Sequence, residues 1–359
     1  MRPFNRYNMN SDANNLGFSL VELMVSMTIG LILVIGATKI YVDGHASYVN
    51  NEAIARMQET ARYAMSVLEN DIRMANYWGE SALASDVVIN VPFNPPDNQE
   101  DCGKVFILPS ATTTIAPFRA TDNSYLPNPY DTSCAPRSGA LPTGDTLTIL
   151  RGGNTSTPGV WQVCTQWSQI ELSSVPCAGT NYAGDFIFHT YYVDMQSDNS
   201  ATVPSLRRHY FSQNGGAPVM QDEEVIPGVE DFQVEFGIDP NGSSSPTVYT
   251  APVAPVPSNP TGIPTDPSGM PYTVLSVRIW LLIRADSPES GFVDDRAYVY
   301  AGRLLTNGTT GDLTSAADTG KAYQPSKSGD TSFTGPTHYR RMLVSKTILP
   351  RNACPFSAC

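Results

Sequence analysis

Gly17-Phe18-Ser19-Leu20-Val21-Glu22-Leu23-Met24 opens an apolar run that continues to Ala37, and the reading of this stretch decides how the rest of the chain is arranged. Between Phe18 and Thr38 the only charge is Glu22. A helix of that length spans about 30 Å, the thickness of a bilayer's hydrocarbon core, so one membrane helix is expected. Residues 1–17 ahead of it are polar, with Arg2, Arg6 and several Asn. A secretory signal peptide carries its apolar stretch before its cleavage point. Here that stretch begins only at Phe18, so it stays with the mature protein. Arg2 and Arg6 on the short leader favour an inside N terminus.

Gly-Phe-Ser-Leu-Val-Glu ahead of an uncharged helix resembles the class III signal of type IV prepilins and of type II secretion pseudopilins. The resemblance implies cleavage by prepilin peptidase between Gly17 and Phe18, N-methylation of Phe18, and an assembly salt bridge through Glu22. The charge supports the last point by itself, because a carboxylate near the end of a membrane helix is costly without a partner. A neighbouring subunit's new α-amine at Phe18 would neutralise it, and such a pair rewards one stagger between adjacent helices. Two other uses of Glu22 stay open: pairing with its own chain's amine at i, i+4, and lying among the headgroups.

The helical pattern does not stop at the membrane. Ile54, Met57, Ala61, Ala64, Leu68, Ile72 and Ala75 recur at spacings of three and four, with Glu52, Arg56, Glu59, Arg62, Glu69 and Arg73 around that stripe. No proline interrupts the chain from Phe18 to Val91. One helix from about residue 18 to about 76 is expected, its first part (18–42) in lipid or in a filament core and its second (43–78) packed on a globular domain. Gly30, Gly36 and Gly44 lower helix propensity, so local bending or melting near them is expected. Their other use is close packing of neighbouring membrane helices.

Beyond Ser81 the text changes to short extended runs between turn residues. Residues 87–91, 104–108 and 145–151 read as strands, and 186–195 with 206–212 as an antiparallel pair joined by a polar turn. Val229, Phe232, Val234 and Phe236 mark another strand. Leu275, Val277, Ile279, Leu281 and Ile283 mark the strongest one, and 338–352 holds a further strand. Without helical crossovers, these strands imply an antiparallel sheet. Residues 240–271 contain nine prolines, too many for a ladder or a helix, and read as an exposed loop of polyproline character.

Several of these landmarks are similar to those of PilW-type minor pilins. They are Leu68-Glu69-Asn70-Asp71-Ile72-Arg73 with Tyr77-Trp78-Gly79, Val229-Glu230-Asp231-Phe232, Val277 to Arg284, and Tyr339-Arg340-Arg341 with Arg351-Asn352. Asn76 stands where a glycine is common, and Glu80 where a cysteine is common. Taken singly, Asp71 and Arg73 read as charges on a solvated helix face, and Tyr77 and Trp78 as lids on the core. The resemblance implies an α+β, type IV pilin-like fold: leader 1–17, a long N-terminal helix, and a head at 79–359 whose antiparallel sheet carries long loops.

Composition bounds the function. The formal charge is −12, and loss of residues 1–17, which carry a net +1, leaves −13. Such an acidic exterior argues against nucleic acid and against an anionic membrane surface as partner of the head. All six cysteines lie beyond the membrane helix and none forms a CxxC pair. This suits disulfides in a periplasmic or surface domain, and sequential pairing is expected: Cys102 with Cys134, Cys164 with Cys177, Cys354 with Cys359. The alternative leaves one or more free and buried. The histidines, His45, His189, His209 and His338, are scattered, and no catalytic, nucleotide or metal motif is present. His189 and His209 could meet across a hairpin to bind metal, and Asp239-Pro-Asn-Gly242 could offer oxygens to Ca²⁺. A plain strand and a plain turn are the simpler readings. No catalytic residue, metal or cofactor is therefore assigned.

The leading functional expectation is a structural minor pilin that primes type IV pilus assembly at or near the tip. It starts as a single-pass precursor in the bacterial inner membrane with its C-terminal domain periplasmic. Its implied partners are other minor pilins, the major pilin, prepilin peptidase, the inner-membrane assembly platform and a tip adhesin. The alternatives are a minor pseudopilin of type II secretion, or an uncleaved membrane-anchored periplasmic enzyme or binding protein.

Overall fold

The computed structural model describes residues 19–79, 87–88, 117–122, 125, 136, 144–154, 162–166, 169–173, 182–214, 217–241, 245–253, 262–269, 272–289, 291–296, 298–301 and 338–352. One helix, α1 (Leu20–Met74), precedes all the strands. These are β1 (Val87–Val88), β2 (Phe118–Thr121), β3 (Thr146–Gly152), β4 (Gln162–Gln166), β5 (Gln169–Ser173), β6 (Tyr182–Asp194), β7 (Ser205–Asn214), β8 (Ala217–Pro227), β9 (Val229–Ile238), β10 (Val248–Thr250), β11 (Val274–Arg284) and β12 (Arg341–Ile348). Two compact units result, Met1–Glu52 and Ala53–Cys359.

In the first unit α1 runs without a break through Gly30, Gly36 and Gly44, so none of the three melts the helix. A side-chain carbon added at any of the three would meet nothing within 4 Å.

The second unit is built on the other half of α1. Met57, Ala61, Ala64, Leu68 and Ile72, the stripe read from spacing, are buried, and Leu68 and Ile72 are fully sealed. Each such aliphatic side chain contributes about 1.5–3 kcal/mol by leaving water. The stripe packs on residues from two sheets: Phe118, Leu147, Ile149, Tyr191 and Val193 from one, Phe232, Val234, Phe236, Val277, Ile279, Leu281 and Ile283 from the other. The second set is the alternate-residue pattern of β9 and β11, directed to a single core.

The larger sheet runs β1-β5-β4-β6-β3-β2, with β7 also on β6 and β8 on β7. The smaller is β10-β9-β11-β12. β6 and β7 pair antiparallel as expected, Asp194 facing Ser205 at the turn end. β9, β11 and β12 form an antiparallel trio. One pair departs from the antiparallel expectation: β1 lies parallel to β5, Val87 opposite Ile170. Parallel pairing needs a long crossover, and more than 80 residues separate the two strands. The 104–108 run lies outside the described residues.

The proline-rich stretch is also more ordered than its composition suggests. Thr247-Val248-Tyr249-Thr250 is a proline-free, β-branched and aromatic window, and residues 248–250 pair with β9, Val248 opposite Ile238. Farther on, Ile263 is buried in the core. Gly262 takes φ +68° where a side-chain carbon would lie 1.9 Å from the Ala120 carbonyl oxygen, a close approach that only glycine permits.

Candidate functional site

The N-terminal unit presents a bare apolar rod. Leu20 is 75% and Ile40 76% exposed, and none of its most apolar 18-residue window, of mean hydropathy 2.3, is buried. Only Glu22 and Lys39 are charged between residues 20 and 42. The hydroxyls of Ser26, Thr28 and Thr38 donate to helix carbonyls three or four residues back, each at 2.8 Å. Their polarity is thereby absorbed by the helix itself, which suits a lipid or helix-packed setting. Glu22 is exposed, and its N–H donates to Ser19 Oγ at 3.1 Å. Ser19-Leu20-Val21-Glu22 is thus the spacing of a capping box, a signal present in the sequence but overlooked beside the assembly reading. Gly17 and Phe18 lie outside the described residues.

At the other end of α1 the structure overturns one expectation. Asp71 is not on a solvated face: it is 6% exposed. It accepts from Arg151 Nη2 at 3.0 Å, from His189 Nδ1 at 2.5 Å and from the Tyr191 hydroxyl. One helical carboxylate therefore clasps β3 and β6. Burial pushes the Asp71 carboxyl up, but His189, the Tyr191 hydroxyl and Arg151 outweigh it and hold it well below the usual carboxylate range. Burial beside Asp71 also drives the Tyr191 phenol far up, so it remains the donor. Arg73, by contrast, is half exposed and pairs with Glu69 at 2.6 Å, as a surface charge should.

The two strand histidines part company. The register sets His209 opposite Thr190 and His189 opposite Tyr210, so the two rings lie on opposite faces of the sheet. His209 is buried, takes a hydrogen bond with the Tyr125 hydroxyl at 2.7 Å and stacks on Tyr192. Among the described residues no group of His, Cys, Asp and Glu is arranged to hold a metal ion.

The end of α1 is closed from far along the chain. Asn76 takes φ 62°, the left-handed conformation that ends helices, which asparagine tolerates in place of glycine. Its side chain then does what a glycine could not. Nδ2 donates to the Asn352 carbonyl and Oδ1 accepts from Trp78 Nε1, both at 2.8 Å. The Arg351 N–H reaches the Arg73 carbonyl at 3.0 Å, and Asn352 Nδ2 the Ala75 carbonyl at 3.3 Å. These bonds satisfy carbonyls that the helix cannot. Trp78 is fully buried and stacks on Phe186, a lid on the core as read.

Cys164 is disulfide-bonded. The other cysteines, and with them the expected pairings, lie outside the described residues.

An exposed helix that carries only Glu22 and Lys39 between residues 20 and 42, and continues into a head of two sheets, gives a type IV pilin-like fold. Residues 12–38 match the prokaryotic N-terminal methylation motif. Residues 190–352 match the family described as Type IV Pilus-assembly protein W, and this part of the chain is similar to that family. That match contains the landmarks in β9, β11 and β12. A type IV-like pilin from Thermus thermophilus is similar over 59% of this chain and 81% of its own, at 13% identity and a TM-score of 0.27. No curated protein matches the chain.

Proposed function

We propose that this chain is a minor pilin that enters a type IV pilus at or near the tip and primes its assembly. Before assembly residues 18–42 hold it in the inner membrane with the head in the periplasm. Prepilin peptidase cuts after Gly17 and Phe18 is methylated. The assembly platform then extracts the rod, and the helix packs among those of other minor pilins and the major pilin, with a tip adhesin as a further neighbour. Glu22 meets a neighbour's Phe18 amine, and sequential disulfides, Cys102 with Cys134, Cys164 with Cys177 and Cys354 with Cys359, brace the head.

The observation that carries this reading is the pairing of a prepilin-type methylation motif with an apolar helical stretch, residues 20–42, whose sole acid is Glu22, in front of a PilW-type region. An acid in that place has a definite use in a bundle of staggered helices, where it meets a neighbour's amine. The test is the intact mass of the protein recovered from sheared pili. A low-copy chain beginning with methylated Phe18 is expected. A chain that keeps Met1 and stays with the membrane would overturn the proposal.

A further inference from the structure

Past its apolar run α1 changes character without ending. Tyr41, His45 and Tyr48 follow at i, i+4 and i+7, which sets them on one face of the helix. Tyr41 is 73% and Tyr48 67% exposed, and His45 is exposed as well. The Tyr41 and His45 rings stack at 6.3 Å, with 4° between their planes. Three rings with polar edges thus lie bare in one stripe where the hydrophobic stretch gives out.

The charges set the depth of this stripe. Residues 23–38 carry none, and Glu22 and Lys39 close the stretch at its two ends. At a rise of 1.5 Å per residue it measures about 24 Å, a few Å less than a hydrocarbon core of about 30 Å. The flanking side chains make up the difference by reaching outward, Lys39 on its long stem. With residues 30 and 31 at the midplane and the helix along the normal, Tyr41 stands about 16 Å out, at the hydrocarbon boundary. His45 stands about 22 Å out, among the headgroups. Tyr48 starts about 26 Å out, but its Cα–Cβ bond tilts toward the helix N terminus and returns the ring toward the same layer. A ring with an apolar body and a polar edge is at home there, its edge on ester carbonyls and phosphate and its body on the first methylenes. Lys39 is the only Lys or Arg between residues 20 and 55, and Asp43 and Glu52 oppose it. The stripe therefore fits a zwitterionic headgroup rather than an acidic one.

We infer that Tyr41, His45 and Tyr48 form a belt that rests among phospholipid headgroups at the C-terminal side of the span and fixes the depth of α1 before the chain is extracted. The inference rests on the membrane reading of residues 18–42 and adds the contact that decides how deep the helix stands.

The experiment reconstitutes the full chain in phosphatidylcholine vesicles with a fluorescent amino acid at Ala46 or, separately, at Ile29, both off the stripe. Nitroxide lipids labelled on the headgroup or at mid-chain serve as quenchers. The Ile29 reporter should be quenched about threefold more by the mid-chain label, and the Ala46 reporter about threefold more by the headgroup label. In the combined variant Tyr41→Ser, Tyr48→Ser, headgroup quenching at Ala46 should fall about twofold or more as that end withdraws into water, and Tyr41→Trp with Tyr48→Trp should restore it. An Ala46 reporter that neither label quenches in the wild type overturns the belt, and so does one that the serine variant leaves unchanged. A serine variant that keeps its depth and is lost only from sheared pili gives the stripe to a neighbouring helix and overturns the belt as well. Should the serine variant melt early by the fluorescence of the head's tryptophans, the wild-type ratio at Ala46 decides. An Ile29 reporter that neither label reaches overturns the membrane reading and this inference with it.

Discussion

Replacing Asp71 by Asn tests whether α1 is held to the sheet by charge. The change keeps the shape of the side chain but strips the charge that Arg151, His189 and Tyr191 converge on. Removing one partner of a buried pair costs about 3–5 kcal/mol, because the other charge is left behind. Arg151 keeps 15% of its side-chain exposure, so water screens part of the loss, and a destabilisation of about 3 kcal/mol is expected. Urea unfolding of the detergent-solubilised mature chain, followed by tryptophan fluorescence, measures it. The same assay on Arg73→Ala should move by less than about 1 kcal/mol, since that pair is at the surface. The pH dependence carries a sign. Asp71 is held lower in the folded chain than the ordinary 3.8. Its contribution is therefore complete above that value and is lost progressively as pH falls from it through the lower folded value, and the gap between wild type and variant should narrow over the same range. A loss below about 1 kcal/mol at neutral pH, or a gap that does not narrow as pH falls below 3.8, would refute the clasp.

Glu22→Ala should be cut and methylated normally yet be missing from sheared pili, and wild-type incorporation would remove the pairing argument. His209 behaves in the opposite sense to a paired histidine. Burial first, offset only in part by Asp222, pulls it below the ordinary 6.5. Wild-type stability should therefore decline as pH drops below that value, and His209→Phe should flatten the slope in thermal melts. Gly262→Ala should cost more than about 1 kcal/mol in the same melts, because the new carbon would strike the Ala120 carbonyl at a positive φ.

What could be read from the sequence was what repeats locally. The stripe from Met57 to Ile72 and the alternation in β9 and β11 name their own buried faces, and the structure puts them in one core. What could not be read depends on partners far away. Asp71 meets His189 across 118 residues, and nothing within Glu69–Arg73 separates a buried carboxylate from a solvated one. The strand at residues 248–250 was hidden because nine surrounding prolines outweighed a short window of favourable residues. The capping spacing from Ser19 to Glu22 was in plain view, but the readings of Glu22 concerned its side-chain charge, whereas its backbone N–H also serves the helix end.

The closure of α1 by Asn352 joins residues 276 positions apart. During synthesis the helix leaves the ribosome long before its last carbonyls can be covered, and β12, which rests on β11, is made late as well. Contacts of such sequence separation form slowly. Synthesis therefore delivers the apolar helix first and the finished head last. A chain stopped early would have an open helix end and a β11 paired on its β9 side only, a ready substrate for proteases.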